Sequence, residues 1–171
     1  SLVKAARTMH LIGDEVKMQL TSFTDYALRT LLYLAVRQSQ GEGLVPIAEV
    51  SAAYGISNHH LTKVANLLAR TGFVAAMRGR GGGLQLARPA AEISVGAVVR
   101  ACEPNLDLVE CFDRAHNTCP IASACALARV LAEARERFMA TLDECALAAL
   151  ARPGAPTQRL LQIWRRTAAA G

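Results

Sequence analysis

Cys111, Cys119 and Cys125 are separated by seven and five residues. That spacing lets one stretch of chain wrap three thiolates around a single inorganic centre. Thiolates are soft ligands, and iron–sulfur clusters are held by cysteines of this kind. Structural zinc sites usually pair cysteines about two to four residues apart, a tighter spacing than this one. The spacing therefore favours an iron–sulfur cluster. Zinc with His116 as a fourth ligand, and three unmetallated thiols, are the alternatives. A cubic cluster on three cysteines is one ligand short, and His116, an acidic residue or an external molecule are the candidates. The chain has five cysteines, an odd number that argues against a disulfide framework and for metal or redox chemistry. Cys102 and Cys145 read instead as structural: one ends a helix and the other falls in an apolar stripe.

A second constellation carries hydrogen-bonding and positive groups. Asn58, His59, Lys63 and Asn66 follow Ser57 at helical spacing, and Arg78 and Arg80 flank a run of glycines. Asn can bridge adenine, while Lys favours guanine or phosphate. An arginine at a glycine-rich tip can enter a narrow minor groove. These seven residues are the expected DNA contacts. His60 is expected to serve packing or capping.

The elements that must position these groups can be read along the chain. Thr24 is placed to cap a helix over 25–38, with Leu28, Leu31, Leu32 and Ala35 on its buried face. Pro46 suits the start of a short second helix with Ile47, Val50 and Ala53 inward, and Gly55 suits its left-handed end. Ser57 caps a third helix that stops before Gly72, with Leu61, Val64, Ala65 and Leu68 inward. Two short helices joined by a tight turn, the second polar outside, are a helix-turn-helix pattern. The segments 73–78 and 84–87 around the glycine-rich 79–83 predict a β-hairpin, hence a wing. Ser94 caps a fourth helix through Cys102.

Residues 104–120 form a loop holding two of the cysteines. No proline or glycine interrupts 121–150, which predicts one long helix about 45 Å in length, with Cys125 near its first turn. Leu127, Leu131, Ala134, Phe138, Leu142, Cys145 and Ala149 form a coiled-coil-like stripe on it. A helix of that length needs a second copy to cover it. The fold class is therefore mainly α with a small β-hairpin, a winged helix-turn-helix plus a long dimerisation helix. The expected organisation is a DNA-binding domain over 18–103, a cluster loop over 104–120, a dimerisation helix over 121–150, and flexible tails at 1–17 and 151–171. Met18 suits a natural start.

Composition agrees. Of 171 residues, 52% are hydrophobic and only 5% aromatic, so the core is aliphatic. The formal charge of +5 suits a polyanionic partner. No apolar run approaches the roughly 20 residues of a membrane span, and the first 17 residues lack the apolar core of a signal peptide. A cytoplasmic protein with no membrane partner is expected. An enzyme is not: no phosphate-binding loop, no H-E-x-x-H and no radical-type C-x3-C-x2-C triad is present.

The stretches Leu20 to Arg29, Arg78 to Leu84, Leu108 to Phe112 and Asn117 to Ile121 resemble the NsrR family of nitric-oxide-sensing repressors. This family lies within the winged-helix superfamily that also holds the iron–sulfur regulator IscR. The resemblance runs from about Met18 to Leu150. It implies a homodimer on an operator in double-stranded DNA, crossed through its long helices. It also implies one iron–sulfur cluster per subunit, 4Fe–4S in the best match with 2Fe–2S as the alternative. Nitrosylation would release the repressor from DNA. IscR-like proteins place a histidine ligand after the third cysteine, whereas His116 precedes the second. The NsrR-like pattern instead implies an aspartate early in the first helix, from the other subunit, as fourth ligand. Asp25 is the matching residue. Read without the resemblance, Asp25 simply favours the positive end of its helix. Regulators of the same superfamily with another signal, and a zinc-stabilised DNA-binding protein, are the competing functions.

Overall fold

A computed structural model describes residues 19–152 together with Gly154 and Pro156. The start at Met18 and the tails over 1–17 and beyond 156 lie outside the described residues.

The first helix, α1 (Ser22–Ser39), is the centre of the core. Ala27, Leu31 and Leu34 are at most 2% exposed. Full burial of one such leucine contributes about 1.5–3 kcal/mol. The helix opens three residues earlier than the sequence predicts. Thr21, not Thr24, is its N-cap, and Thr24 is fully buried in the first turn. Both threonines have capping chemistry, but only Thr21 has the extended backbone that a cap requires. Thr21 is fixed in turn by Glu103, whose Oε1 accepts from the Thr21 amide at 2.8 Å and from its hydroxyl at 3.1 Å.

Helices α2 (Ile47–Tyr54) and α3 (Asn58–Arg70) follow, joined by Gly55 in the left-handed conformation. Leu61, Val64, Ala65 and Leu68 of α3 are buried, as their spacing predicts. Tyr33 of α1 donates to Glu49 of α2 at 2.6 Å, and Arg37 pairs with the same carboxylate. These bonds orient α2 on α1.

Strands β1 (Val74–Met77) and β2 (Gly83–Leu86) form an antiparallel hairpin with Val74 opposite Leu86 and Met77 opposite Gly83. Val45 adds a bridge to Leu84 on the outer edge, 2.9 and 2.8 Å in the two directions. Helix α4 (Val95–Cys102) is capped by Ser94, as predicted.

The long helix expected over 121–150 is not continuous. A short 3-10 turn, Ala122–Ala124, precedes α5 (Ala126–Glu144), and a separate helix α6 (Leu147–Ala151) follows. Cys125 is the N-cap of α5, outside its first turn. The break has a tertiary cause. The carbonyl of Cys145 accepts from the Val95 amide at 2.9 Å, and the Leu147 amide donates to Ile93 at 2.8 Å. This bridge fixes Cys145 and Ala146 as extended chain. It turns α6 back onto α1, burying Leu147 and Ala151 in the main core.

Candidate nucleic-acid interface and cysteine loop

The polar face of α3 is open. Asn58, His59, Lys63 and Asn66 are all exposed, as is Arg70 at its end. The α3 N-cap is Ser57, whose hydroxyl oxygen accepts from the His60 amide at 3.3 Å. Its O–H remains a donor on the exposed side. His60 stacks on Tyr26 of α1 at a ring separation of 6.1 Å, which agrees with a packing role. Thr62, also on the polar face, donates its hydroxyl to the Asn58 carbonyl.

Arg78 and Arg80 are both exposed beyond β1. Gly79 and Gly81 have φ of 95° and 78°, a region that costs L-residues about 1–2 kcal/mol. Gly82 is crowded by backbone: a Cβ there would lie 2.3 Å from the Met77 carbonyl. The wing tip is therefore built from backbone that only glycine accommodates, with a guanidinium at its crest. The structure thus brings Ser57, Asn58, His59, Lys63 and Asn66 together on one helix and sets Arg78 and Arg80 on the hairpin that follows it.

The cysteine loop is organised by contacts that its own sequence does not announce. Glu110 accepts from both the amide and the hydroxyl of Thr118, each at 2.6 Å. These bonds lower the Glu110 pKa, the hydroxyl bond foremost. The clasp closes the segment between Cys111 and Cys119 from its two flanks. Asp107 pairs with Arg135 of α5 at 3.7 Å, and the Arg135 guanidinium lies 4.7 Å from the Phe112 ring centre. The loop is thereby laid along α5. His116 binds Asp113 through Nδ1 at 2.7 Å, a bond that leads the lowering of the Asp113 pKa. Cys125 lines an open cavity of about 510 Å³ with Phe112, Ala128, Arg129 and Ala132.

Among the described residues, no three His, Cys, Asp or Glu side chains converge as a metal-holding group. Cys111, Cys119 and Cys125 are free thiols, half-buried and unpaired with one another. Their donor chemistry suits an iron–sulfur centre, and of the three only Cys125 lines the cavity. Cys102 is different: burial pushes its thiol up to about 11, Glu103 adding to the effect, and it packs against the core. Cys145 is half-buried at the end of α5.

Asp25 lies in the first turn of α1 and is engaged within its own helix. Its two oxygens accept from Arg29 at 2.9 and 2.8 Å. The Arg29 guanidinium in turn sits 5.9 Å from the ring centre of Tyr54, the last residue of α2. Burial pushes the Tyr54 hydroxyl up to about 12, with Arg29 acting in the opposite direction. The sequence did not single out Glu110, Thr118, Arg29 or Arg135. Glu110 and Thr118 each adjoin a predicted cysteine ligand, and that symmetry is the signal for the clasp.

No described helix is long and apolar enough to cross a membrane. Leu127, Val130 and Phe138 of α5 are 63%, 62% and 47% exposed, and Leu150 of α6 is 39% exposed. Of α5, only Met139 is buried within the chain.

A family model described as Rrf2, iron-dependent transcriptional regulator, matches residues 20–153. The chain is 43% identical over 145 residues to the HTH-type transcriptional regulator NsrR of Geobacillus kaustophilus, covering 85% of this chain and 97% of that protein. Among solved structures, CymR of Staphylococcus aureus matches with a TM-score of 0.62 and 25% identity, covering 78% of this chain and 98% of that one. IscR of T. potens matches with a TM-score of 0.60 and 25% identity, covering 76% and 83%.

Proposed function

We propose that this chain, which belongs to the Rrf2 family of transcriptional regulators, is a homodimeric repressor that senses nitric oxide through an iron–sulfur cluster. It is a DNA-binding regulator and not an enzyme. The DNA-reading part consists of α3 and the wing. Asn58, His59, Lys63 and Asn66 meet base edges and phosphates in the major groove, with Ser57 at the helix start, and Arg78 and Arg80 reach the adjacent minor groove. The order of an exposed polar helix followed by a basic glycine wing supports this.

The observation that carries the sensing reading is the cysteine loop: three free, half-buried thiols on a segment clasped by Glu110 and Thr118 and laid on α5. Cys111, Cys119 and Cys125 would hold the cluster, one per subunit. A 4Fe–4S form needs a fourth ligand, and the partner subunit's equivalent of Asp25 would supply it. A cluster bound there supplies iron sites that nitric oxide can nitrosylate. The chain's own contribution is positional. Asp25 stands in the first turn of the helix on which the reading unit packs, and Arg29 captures its carboxylate whenever it is not engaged elsewhere. The reading heads of a dimer must match half-sites roughly 34 Å apart, so a small rotation of α1 weakens binding. The exposed Leu127, Val130 and Phe138 support α5 as the element that a second copy covers.

Anaerobic absorbance and native mass spectrometry of the purified chain, repeated during a nitric oxide titration with DNA binding followed in parallel, test this reading. A brown dimer carrying one cluster per subunit, bleached together with loss of DNA binding, is the expected result. A colourless protein that takes up only zinc, or no metal after anaerobic reconstitution, would remove the sensing chemistry and leave the DNA-binding regulator.

A further inference from the structure

Met77 closes β1 with 61% of its surface exposed. Among the described residues it is the single large hydrophobic side chain so exposed outside the segment 121–150. Its surroundings do nothing to cover it. The cross-strand partner is Gly83, which has no side chain. A Cβ at Gly83 would lie 2.6 Å from the carbonyl carbon and oxygen of Val45. That backbone bridge keeps the position bare. Two residues back, on the same side of the strand, stands Ala75 opposite Gln85. The other side of the hairpin carries Val74, Leu84 and Leu86, all buried. The hairpin thus has a core face and an outer face, and the outer face bears one projecting thioether beside Ala75, Gly83 and the polar Gln85.

The chain then passes directly into Arg78 and the arginine-tipped glycine turn. An exposed apolar group followed in the chain by two exposed arginines matches the lining of a DNA groove, where phosphates rim the apolar faces of the deoxyriboses. Methionine is among the residues that proteins press against minor-groove sugars and base steps. Its unbranched, polarizable chain adapts to an irregular surface.

We propose that Met77 is a DNA-contacting residue, its thioether pressing on the deoxyriboses and base edges of the minor groove beside Arg78 and Arg80. The inference rests on the DNA-reading assignment above and adds an apolar contact to it. It separates two components of binding. The arginines neutralise phosphates and so set the salt dependence. Met77 buries apolar surface, which changes affinity without changing the number of counterions released.

The test uses full-length protein and a duplex enriched by the protein itself from a randomised pool. Met77→Ala is expected to bind that duplex about tenfold more weakly, with an unchanged slope of affinity against salt. Met77→Leu is expected to retain most of the affinity. Because Met77 is exposed, neither change should lower the melting temperature. Wild-type affinity in Met77→Ala would overturn the inference. A shift of the dimer–monomer equilibrium in Met77→Ala would also overturn it, because the side chain would then contact protein. If Arg80→Ala lowers both affinity and salt slope while Met77→Ala changes neither, this contact alone fails. If wild-type protein enriches no duplex, the DNA-reading assignment fails with it.

Discussion

Arg100 of α4 and Asp143 of α5 form a two-pronged ion pair, with Nη1 to Oδ1 at 2.5 Å and Nη2 to Oδ2 at 2.6 Å. The carboxylate lies against Gly96, where a Cβ would sit 2.0 Å from Oδ1 and 2.9 Å from the Asp143 amide nitrogen. The pair fixes the helix that carries the cysteine loop to the domain that carries the wing. Fork-to-fork geometry of this kind sets direction as well as distance.

Gly96→Ala is expected to destabilise the protein by up to about 2 kcal/mol. Alanine gains about 1 kcal/mol of helix propensity over glycine. Overpacking against an immobile backbone costs about 1–3 kcal/mol, and here the nitrogen of Asp143 cannot swing aside as its carboxylate can. Thermal or urea unfolding measures the difference. A stabilised Gly96→Ala would show that α4 and α5 separate freely.

The same pair gives a pH signature. Arg100 holds the Asp143 carboxyl below its ordinary 3.8, chiefly through the side-chain hydrogen bond. A native pKa below the unfolded one means that the unfolded chain binds the proton more readily. The contribution is therefore complete above about 3.8 and is lost as the pH falls through the lower native value. Both side chains are half-exposed, so solvent screening keeps the effect small. Asp143→Asn is expected to flatten the acid limb of the stability curve while leaving its shape at neutral pH unchanged. An identical acid limb would mean that the pair does not persist in solution.

Glu110→Ala removes both bonds to Thr118 without touching a thiol. The segment between Cys111 and Cys119 then closes at a larger entropic cost. Lower iron and sulfide content per chain after anaerobic reconstitution is expected, with the folding of α1 to α4 intact by circular dichroism. Full cluster content in this variant would show that the cysteines need no preformed loop.

Arg80→Ala is expected to weaken specific DNA binding by about 1–3 kcal/mol and to reduce the salt slope by about 1 where the guanidinium neutralises a phosphate. Titrations of one duplex at several salt concentrations check both. Unchanged affinity would remove the wing tip from the interface.

Local chemistry made much of this molecule legible in one dimension. The α3 face of Leu61, Val64, Ala65 and Leu68, the Ser57 and Ser94 caps and the left-handed Gly55 all follow from rules that act within a few residues. The glycine wing and the exposure of Asn58, His59, Lys63 and Asn66 follow likewise, because polarity and backbone freedom are properties of the residues themselves. Long-range hydrogen bonds decided the rest. No residue between 121 and 150 breaks a helix, yet the chain is extended at 145–146 because Ile93 and Val95 offer it a bridge and α1 offers Leu147 a buried site. Thr21 and Thr24 are chemically equivalent caps, and the carboxylate of Glu103, distant in sequence, engages the first of them. Spacing alone nominated the three cysteines. Only the folded chain brought Glu110 to Thr118 and Arg135 onto Phe112, the second contact depending on where α5 lies.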